Sequence, residues 1–379
     1  MEMTQIAQIV NETTAQVTGT EPIADVDLNK IVDAGAEVLD TDQIDHYVQS
    51  LIDRIGKVVF VNRPYTGGTP SVMRDSWEYG AILEKIQYEG LPEAEDNDTW
   101  NLEDRRSYDP NIFYKPTVSA KFFSERRTFD IPMSFAQRQV KSAFTSAGQV
   151  QALFSMIETA ISNGMTVKMD SLVEATINNF IATTYADGTA NARVVKLLTE
   201  YAAFTGETAP LANVALADPE FVRFMVFRMK RKMVQMQKLS TVFNEGGKYR
   251  HTPADRLHVI LHADVAAAAD VYLQSDTFHN EFVALPNADK VPFWQGSGEE
   301  FAWSDTSKII VTPRGEDSPV TISNIVGVMF DHDALGVSNL DRRVTTNWNP
   351  KGEFTNNWYK FDAGYFNDFN ENGVVFVLA

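Results

Sequence analysis

The chain has 379 residues, a formal net charge of −18 and no cysteine. Without cysteine this sequence can form no disulfide, thiolate nucleophile or cysteine-based metal site, which fits a reducing compartment. The acidic balance argues against binding nucleic acid by bulk attraction, because DNA-binding proteins gather Lys and Arg against the phosphates. No run approaches 18 consecutive apolar residues, so no membrane-spanning helix is predicted, and the first residues do not resemble a secretory signal.

The first 61 residues predict an arm, a short helix and a strand. Residues 1 to about 40 are rich in Thr, Asp and Glu and have weak apolar periodicity, which predicts an N-terminal arm with little packing of its own. Asp42 then caps a predicted helix that ends at Gly56. The apolar positions of this helix are Ile44, Tyr47, Val48, Leu51 and Ile52. A strand over residues 57–61 follows.

Residues 62 to about 132 predict a long β-hairpin. A break at residues 67–70 precedes a strand-like run over residues 77–88, and the acidic, polar residues 91–110 predict a mobile tip. The return strand alternates, with Val118, Ala120 and Phe122 on one face and Thr117, Ser119 and Lys121 on the other. Phe129 and Ile131 continue the alternation until Pro132. Because an isolated hairpin is marginal in water, it either folds onto its own domain or completes itself on a neighbouring copy.

The residues from Gln149 to Tyr185 predict the element around which the chain is organised. Apolar residues recur at steps of three or four, which predicts one amphipathic helix ~55 Å long. The stripe comprises Val150, Phe154, Ile157, Ile161, Met165, Met169, Leu172, Thr176 and Phe180. Gly164 lies in its middle without shifting the phase, which predicts a bend or a soft spot instead of an end. So long a helix with one apolar side needs something extended lying along it.

Two further helices are predicted after the long one. The first covers residues 192–204. The second runs over residues 220–243, with Asp218 as its N-cap and Pro219 at its first helical position. Its methionines recur at helical spacing, which is typical of a core or a contact surface. They are Met225, Met229, Met233 and Met236.

The charges along the chain are uneven. Residues 1–45 carry ten acids and one lysine, whereas residues 223–238 carry six bases and no acid. The basic helix could meet DNA, a membrane or an acidic partner, although a solvated face or one paired between subunits is the simpler interpretation. The asymmetry suggests that one region meets another, in the same chain or in a neighbouring copy.

The last third of the chain predicts an α+β domain with short elements. Residues 256–264 predict a buried strand whose final Asp264 caps a helix over residues 265–274. Residues 324–333 predict a second strand, followed by a short helix over residues 334–338. The closing residues, 373–379, predict a strand that pairs with an early part of the chain.

No catalytic constellation is found, so neither an enzyme nor a cofactor is predicted. His258 and His262 lie four residues apart, but the apolar residues between them predict a strand, which separates them by ~13 Å and disfavours a metal pair. The triplet at residues 331–333 is more typical of a turn with a capping Asp than of a cation site. Residues 295–298 lack the context of a nucleophile elbow, and residues 245–248 lack that of a phosphate loop.

Five stretches carry a family resemblance, in the same order over nearly the whole chain. They are YVQSLIDRIGKVVF (47–60), SAFTSAGQVQALFSMIETAIS (142–162), RLHVILHADVAAAADV (256–271), GVMFDHDALGV (327–337) and YFNDFNENGVVFV (365–377). They resemble the major capsid proteins of tailed bacteriophages, and are most similar to those of small, short-tailed phages with protein-primed replication. Each stretch is mostly an apolar pattern with a few polar anchors, so the likeness depends on their collinear order.

The resemblance implies an α+β, Hong Kong 97-like capsid fold. Its expected parts are an N-terminal arm with a short helix (1–56), an extended β-hairpin loop with an adjoining strand (57–132), a peripheral domain with the spine helix (133–190), an axial domain (191–345) and a return to the peripheral domain (346–379). In this family the loop lies over the adjacent subunit, and axial domains meet around the five- and six-fold axes. The candidate intersubunit contacts are Trp77, Ile86, Tyr88, Trp100, Arg105, Arg106, Phe122, Arg228, Lys230, Arg231 and Lys232.

The implied function is that of a major capsid protein whose pentamers and hexamers form an icosahedral shell around phage DNA. The expected partners are further copies, a scaffolding protein, a portal and enclosed double-stranded DNA without sequence-specific binding, and no membrane. The expected location is the virion capsid, and the host cytoplasm before assembly. The immunoglobulin-like domain of some relatives is expected to be absent, and no lysine–asparagine crosslink can be assigned. The alternatives are an encapsulin-like nanocompartment shell protein and a soluble α+β enzyme.

Overall fold

The computed structural model describes residues 3–23, 28–39, 41–56, 69–74, 82–88, 99–108, 110–187, 192–274, 288–296 and 302–379, together with Val58 and Ala94. Its chain forms two compact units. Unit 1 comprises residues 1–81, 125–173 and 337–365, and unit 2 comprises residues 82–124, 174–336 and 366–379. Each unit is therefore assembled from three separate parts of the chain. The predicted strand over residues 57–61 lies outside the described residues, apart from Val58.

Helices and strands occur mostly in separate runs along the chain, as in an α+β protein. The helices are α1 Met3–Thr18, α2 Leu28–Leu39, α3 Ile44–Gly56, α4 Gln137–Ala143, α5 Ala147–Ala186, α6 Leu197–Thr205, α7 Pro219–Met236, α8 Ala263–Gln274 and α9 Trp303–Thr306, with 3₁₀ turns at Pro70–Val72 and Ala215–Ala217. The strands are β1 Met73–Arg74, β2 Leu83–Tyr88, β3 Val118–Phe123, β4 Arg126–Ala136, β5 Val194–Lys196, β6 Leu257–His262, β7 Ala288–Val291, β8 Ile309–Val311, β9 Val320–Ile322, β10 Ile325–Asp331, β11 Leu335–Asn349, β12 Phe354–Asn367 and β13 Gly373–Val377.

Unit 1 begins with three helices, α1 to α3, that pack on one another. The expectation of an arm with little packing of its own is wrong for α1 and α2, because both bury apolar side chains such as Ile6 and Ile31. Thr13 and Thr14 are also buried, and their hydroxyls donate to the carbonyl oxygens one turn earlier, at 2.7 and 2.9 Å. Threonine on the buried face weakened the apolar periodicity of the sequence. The short helix predicted to end at Gly56 is confirmed as α3.

The sheet of unit 1 has the strand order β1-β11-β12-β4. β1 runs parallel to β11, and β4 runs antiparallel to β12 over eleven residue pairs from Arg126 to Ala136. Pro132 was predicted to end the alternating strand, and this is wrong, because β4 continues through it, with Pro132 opposite Trp358. β4 lies at the edge of the sheet, where the missing N–H of proline interrupts no second ladder.

The predicted long helix is confirmed as α5, which runs from Ala147 to Ala186 without interruption. All nine residues of its predicted stripe, from Val150 to Phe180, are buried. Gly164 does not end the helix. A Cβ atom at this position would lie 3.0 Å from Cδ1 of Ile131 on β4, so the glycine permits a close approach between helix and strand.

Unit 2 is built on a five-stranded sheet with the order β5-β13-β10-β6-β7. Every residue of β10 and of β13 is buried, as expected for central strands covered on both faces. β13 pairs antiparallel with β10 and parallel with β5. The closing strand therefore pairs with the middle of the chain, and the expectation of an early partner is wrong. The predicted strand that carries His258 and His262 is confirmed as β6.

The methionine-rich helix α7 begins as predicted and ends earlier. The carboxylate of Asp218 accepts the backbone N–H groups of Glu220 and Phe221 at 3.0 and 3.4 Å, and Pro219 occupies the first turn. The helix ends at Met236, whereas the sequence predicted Phe243. Its methionine side is core as predicted: Met225, Met229 and Met236 are buried and Met233 packs against the same cluster.

Three short elements of unit 2 differ from the sequence predictions. The helix predicted over residues 192–204 is divided into β5 and α6, because β5 pairs with β13. The helix predicted over residues 334–338 is wrong: these residues form a turn and the start of β11. Asp264 was predicted to cap α8, but Nδ1 of His262 accepts the Asp264 N–H at 3.2 Å, so the imidazole takes that position.

Candidate assembly surfaces

The predicted hairpin is present in the described residues as the antiparallel pair β2 and β3, with Leu83 opposite Phe123 and Tyr88 opposite Val118. Its tip is described only in part, since residues 89–93, 95–98 and 109 lie outside the described residues. The return leg is divided between two sheets, because β3 pairs with β2 whereas β4 pairs with β12.

One face of the hairpin, here called the inner face, is held by charge. Lys85 and Lys121 are directly opposite each other on β2 and β3. Their ammonium groups lie 3.2 Å and 2.8 Å from the two carboxylate oxygens of Asp368, whose side chain is fully buried. The ring of Phe123 packs on Phe366, with centroids 5.3 Å apart. The hairpin is thus tied to the turn that follows β12.

A second carboxylate, Glu371, lies beside this contact, and its side chain is 13% exposed. Its Oε2 is 3.0 Å from Nε of Arg250, and its Oε1 accepts a long hydrogen bond of 3.5 Å from Gln87 of the hairpin. Burial raises the pKa of Glu371 to about 7, with Asp368 adding to the effect of burial and Arg250 opposing it. Burial alone would raise the pKa of Asp368 too, but Lys85 and Lys121 hold it below its ordinary value.

The other face of the hairpin, here called the outer face, is apolar and exposed. Ile86 is 71% exposed and Phe122 is 62% exposed, and Ile82 and Val118 are also exposed. The alternation predicted for the return strand is confirmed, with Phe122 outside and Lys121 and Phe123 inside. Most half-buried sheets place apolar side chains inward and polar ones outward. In this hairpin Lys85 and Lys121 instead point inward, and Ile86 and Phe122 point outward. The outer face is an open apolar surface.

The described part of the hairpin tip exposes aromatic side chains. Trp100 is 96% exposed, and Phe113 and Tyr114 are also exposed. Arg105 and Arg106 are exposed and lie within 4 Å of carboxylates close in sequence, at 3.8 Å from Asp104 and 3.7 Å from Glu103. Of the other candidate contacts, Trp77 and the side chain of Tyr88 lie outside the described part of the chain.

The four candidate bases of α7 occupy different surroundings. Arg228 forms an ion pair with Glu200 of α6 in its own unit. Lys232 is buried, its Nζ lies 3.4 Å from the Ala192 carbonyl oxygen, and burial lowers its pKa. Lys230 is half-buried and Arg231 is exposed. Arg231 is therefore the most accessible of the four predicted bases.

His258, His262 and His332 form contacts typical of packed side chains. Nε2 of His258 lies 3.0 Å from Nδ1 of His332, and the ring of His262 packs edge-on against Trp303. Within the described ranges there is no group of three or more His, Asp or Glu side chains placed to hold a metal ion. No helix of the described part of the chain is long and apolar enough to cross a membrane.

The comparisons with known proteins decide the family. A model of the Phi29-like phage major capsid protein family matches residues 6–377. The chain belongs to this family. The major capsid protein of Bacillus phage GA-1 is 22% identical over 259 residues, which are 65% of this chain and 46% of that protein. The present chain thus aligns with about half the length of that family member.

Solved structures confirm the Hong Kong 97-like α+β fold expected for the family. A chain of the capsid of Staphylococcus phage Andhra has a TM-score of 0.51 at 9% identity, covering 84% of this chain and 87% of that one. A chain from the structure of the head fibre and inner core protein gp22 of native bacteriophage P68 has a TM-score of 0.52 at 10% identity, covering 81% and 83%.

Sequence reasoning missed the acids of the hairpin contact. Asp368 and Glu371 lie within residues 365–377, one of the stretches that carry the family resemblance, but that pattern marked neither acid as a contact. Their role arises from residues that are more than 240 positions apart in the chain, such as Lys121 and Asp368. The one available signal was the pair of lysines, Lys85 and Lys121, one on each strand of the hairpin.

Proposed function

We propose that this chain is the shell-forming subunit of a phage capsid, in which pentamers and hexamers build an icosahedral shell around the genome. The hairpin carries this proposal. Its inner face is fixed to its own chain by Asp368, and its outer face exposes Ile86 and Phe122. A two-stranded hairpin is too small to hide such side chains by itself. A second copy laid over the outer face would bury them.

Membership of the Phi29-like major capsid family supports the same conclusion. In a closed symmetric shell each contact is repeated by every copy, so a modest apolar surface on each hairpin is sufficient to hold many subunits. The parts named from the resemblance remain proposals: an extended loop over residues 57–132, a peripheral domain around α5 and an axial domain over residues 191–345. Lys230 and Arg231 are proposed contacts in the axial domain, with Trp100, Arg105 and Arg106 proposed at the loop tip.

The proposed partners follow from the charge and from the shell itself. With a net charge of −18, the chain would hold double-stranded DNA by enclosure and without sequence-specific contacts. A scaffolding protein and a portal are the further partners proposed for assembly. The subunit would be found in the host cytoplasm before assembly and in the virion capsid afterwards. We assign it no catalytic role.

The size of the purified protein tests this proposal. The chain is expressed alone and with a candidate scaffolding protein, and both preparations are measured by light scattering and imaged by negative stain. Shells, tubes or capsomers tens of nanometres across are expected in at least one of them. A monodisperse monomer of 42.4 kDa in both preparations would overturn the proposed function.

A further inference from the structure

Helix α7 presents a stripe of alternating basic and apolar side chains to solvent. Arg223, Phe227, Arg231 and Val234 are all exposed, and they follow one another at steps of four, four and three. This spacing places them on one side of the helix. The opposite side of α7 is buried in the core of unit 2 through Met225 and Met229 among others.

Helix α8 presents a complementary stripe. Its exposed residues are Asp264, Ala267, Asp270 and Val271, which fall within about a third of the helix circumference. Val271 is 64% exposed. The stripe of α8 therefore carries two carboxylates and two apolar side chains, whereas the stripe of α7 carries two guanidinium groups and two apolar side chains. Burial of Val265 anchors α8 in the same core cluster as α7.

The two stripes are held rigidly by their own unit. α7 and α8 pack on each other, and Val222, Met225 and Met229 share a cluster with Val265, against which Ala268 and Tyr272 also pack. Two helices with a common core change their exposed faces little on association, which favours a well-defined contact.

The two carboxylates of the α8 stripe form weak charge contacts within their own unit. Asp270 forms an ion pair with Lys290 at 3.2 Å, but both side chains are more than half exposed, so the pair is screened by water. Asp264 lies 3.9 Å from Nδ1 of His262. Burial lowers the pKa of His262, so this imidazole is neutral near pH 7 and does not compensate the acid.

We propose that the exposed stripe of α7 in one copy packs against the exposed stripe of α8 in a second copy of this chain. Arg223 and Arg231 would meet Asp264 and Asp270, while Phe227 and Val234 would cover Ala267 and Val271. Such a contact joins different surfaces of the two copies, which is the type that closes into rings. The inference rests on the proposed shell function and names a contact within it that is separate from the hairpin.

Charge exchange tests this contact. Three variants are compared with the wild-type chain in an assembly assay: Arg231→Glu, Asp270→Arg and the combination of both. The assay measures, by light scattering and sedimentation velocity, the protein concentration at which half of the chain is assembled. Both positions are exposed, so circular dichroism and thermal melting are expected to show unchanged folding. Val271→Ser is a further variant that removes apolar contact without changing charge.

Each single reversal is expected to raise the half-assembly concentration roughly tenfold or more, because like charges then face each other across the contact. The combined variant keeps the net charge of the wild type and is expected to recover most of the assembly. Val271→Ser is expected to give a smaller rise. Single reversals that assemble as the wild type does, or a combined variant no better than the singles, would overturn the contact while leaving the shell function standing. A wild-type chain that stays monomeric would overturn both.

Discussion

The ammonium group of Lys121 lies 2.8 Å from a carboxylate oxygen of Asp368, although 247 residues separate them in the chain. The same carboxylate receives Lys85 from the neighbouring strand at 3.2 Å. Both strands of the hairpin are therefore attached to one buried acid, and this charge contact orients the hairpin together with the packing of Phe123 on Phe366. This arrangement leaves the apolar face exposed, and we propose that another copy covers it.

Replacing the shared acid is expected to loosen the hairpin. In an Asp368→Asn variant, Lys85 and Lys121 lose their counter-charge in largely buried surroundings. Removing one partner of a buried ion pair lowers the free energy of unfolding by about 3 kcal/mol. Hydrogen exchange of the amides in β2 and β3 is expected to accelerate. Asp341→Asn is the matched control, since Asp341 pairs with Arg343 at the surface. Unchanged exchange in Asp368→Asn would show that the charges do not hold the hairpin.

Glu371 is expected to make the stability of unit 2 depend on pH. Burial raises its folded pKa to about 7, above the ordinary value of 4.5, so the folded state binds the proton more tightly than the unfolded state. The stabilisation is complete below pH 4.5 and is lost as the pH rises through 7. The shift corresponds to roughly 3–4 kcal/mol.

The Glu371→Gln variant isolates this contribution. Glutamine keeps the shape of the side chain and does not titrate in this range. Denaturant unfolding at pH 5 and pH 8 is expected to show a larger loss of unfolding free energy in the wild type than in the variant. Equal losses in the two proteins would contradict the assignment to Glu371.

Enlarging Gly164 is expected to destabilise unit 1. Its Cβ position is 3.0 Å from Cδ1 of Ile131, so Gly164→Leu overpacks the contact between α5 and β4 and costs about 1–3 kcal/mol. Gly148 offers a matched comparison in the same helix, because a Cβ there meets nothing within 4 Å. Gly148→Ala is expected to leave stability unchanged or raise it by up to about 1 kcal/mol. Thermal melting that ranks the two variants in the opposite order would disprove the close approach.

Neighbouring phenylalanines of β3 are expected to separate assembly from folding. Phe122 lies on the outer face, so Phe122→Ser is expected to weaken assembly at least tenfold while the free energy of unfolding stays within about 0.5 kcal/mol. Phe123 is buried against Phe366, so Phe123→Ala is expected to lower the free energy of unfolding by about 3 kcal/mol. The two measurements are sedimentation velocity and denaturant unfolding. Equal effects of both variants on stability would contradict the two-faced hairpin.

Elements with long, strictly periodic patterns were predictable from the sequence. The helix predicted over Gln149 to Tyr185 is α5, because one stripe of nine residues kept the helical phase through Gly164. The cap at Asp218 was predictable for a local reason, since Asp followed by Pro favours a helix start when an apolar periodic run comes next.

Two of the elements that failed did so for different reasons, one distant in sequence and one local. β5 is a strand because it pairs with β13, about 180 residues later. The turn before β11 forms because the Asp331 carboxylate accepts the Asp333 N–H at 2.9 Å, which a capping pattern does not distinguish from a helix start. The hairpin contact could not be predicted because its partners are distant in sequence. Its lysines were recognisable in the sequence, whereas nothing distinguished Asp368 from the other acids.

The most direct test of the account is whether assembly covers the outer face of the hairpin. The chain has no cysteine, so a single Ile86→Cys substitution gives one thiol at a position that is 71% exposed in the isolated chain. Its rate of reaction with a soluble thiol reagent is measured in purified particles and in unassembled protein. The account predicts a rate at least about tenfold slower in particles, since an interface core excludes water and solutes. Equal rates in particles and free chain would contradict it.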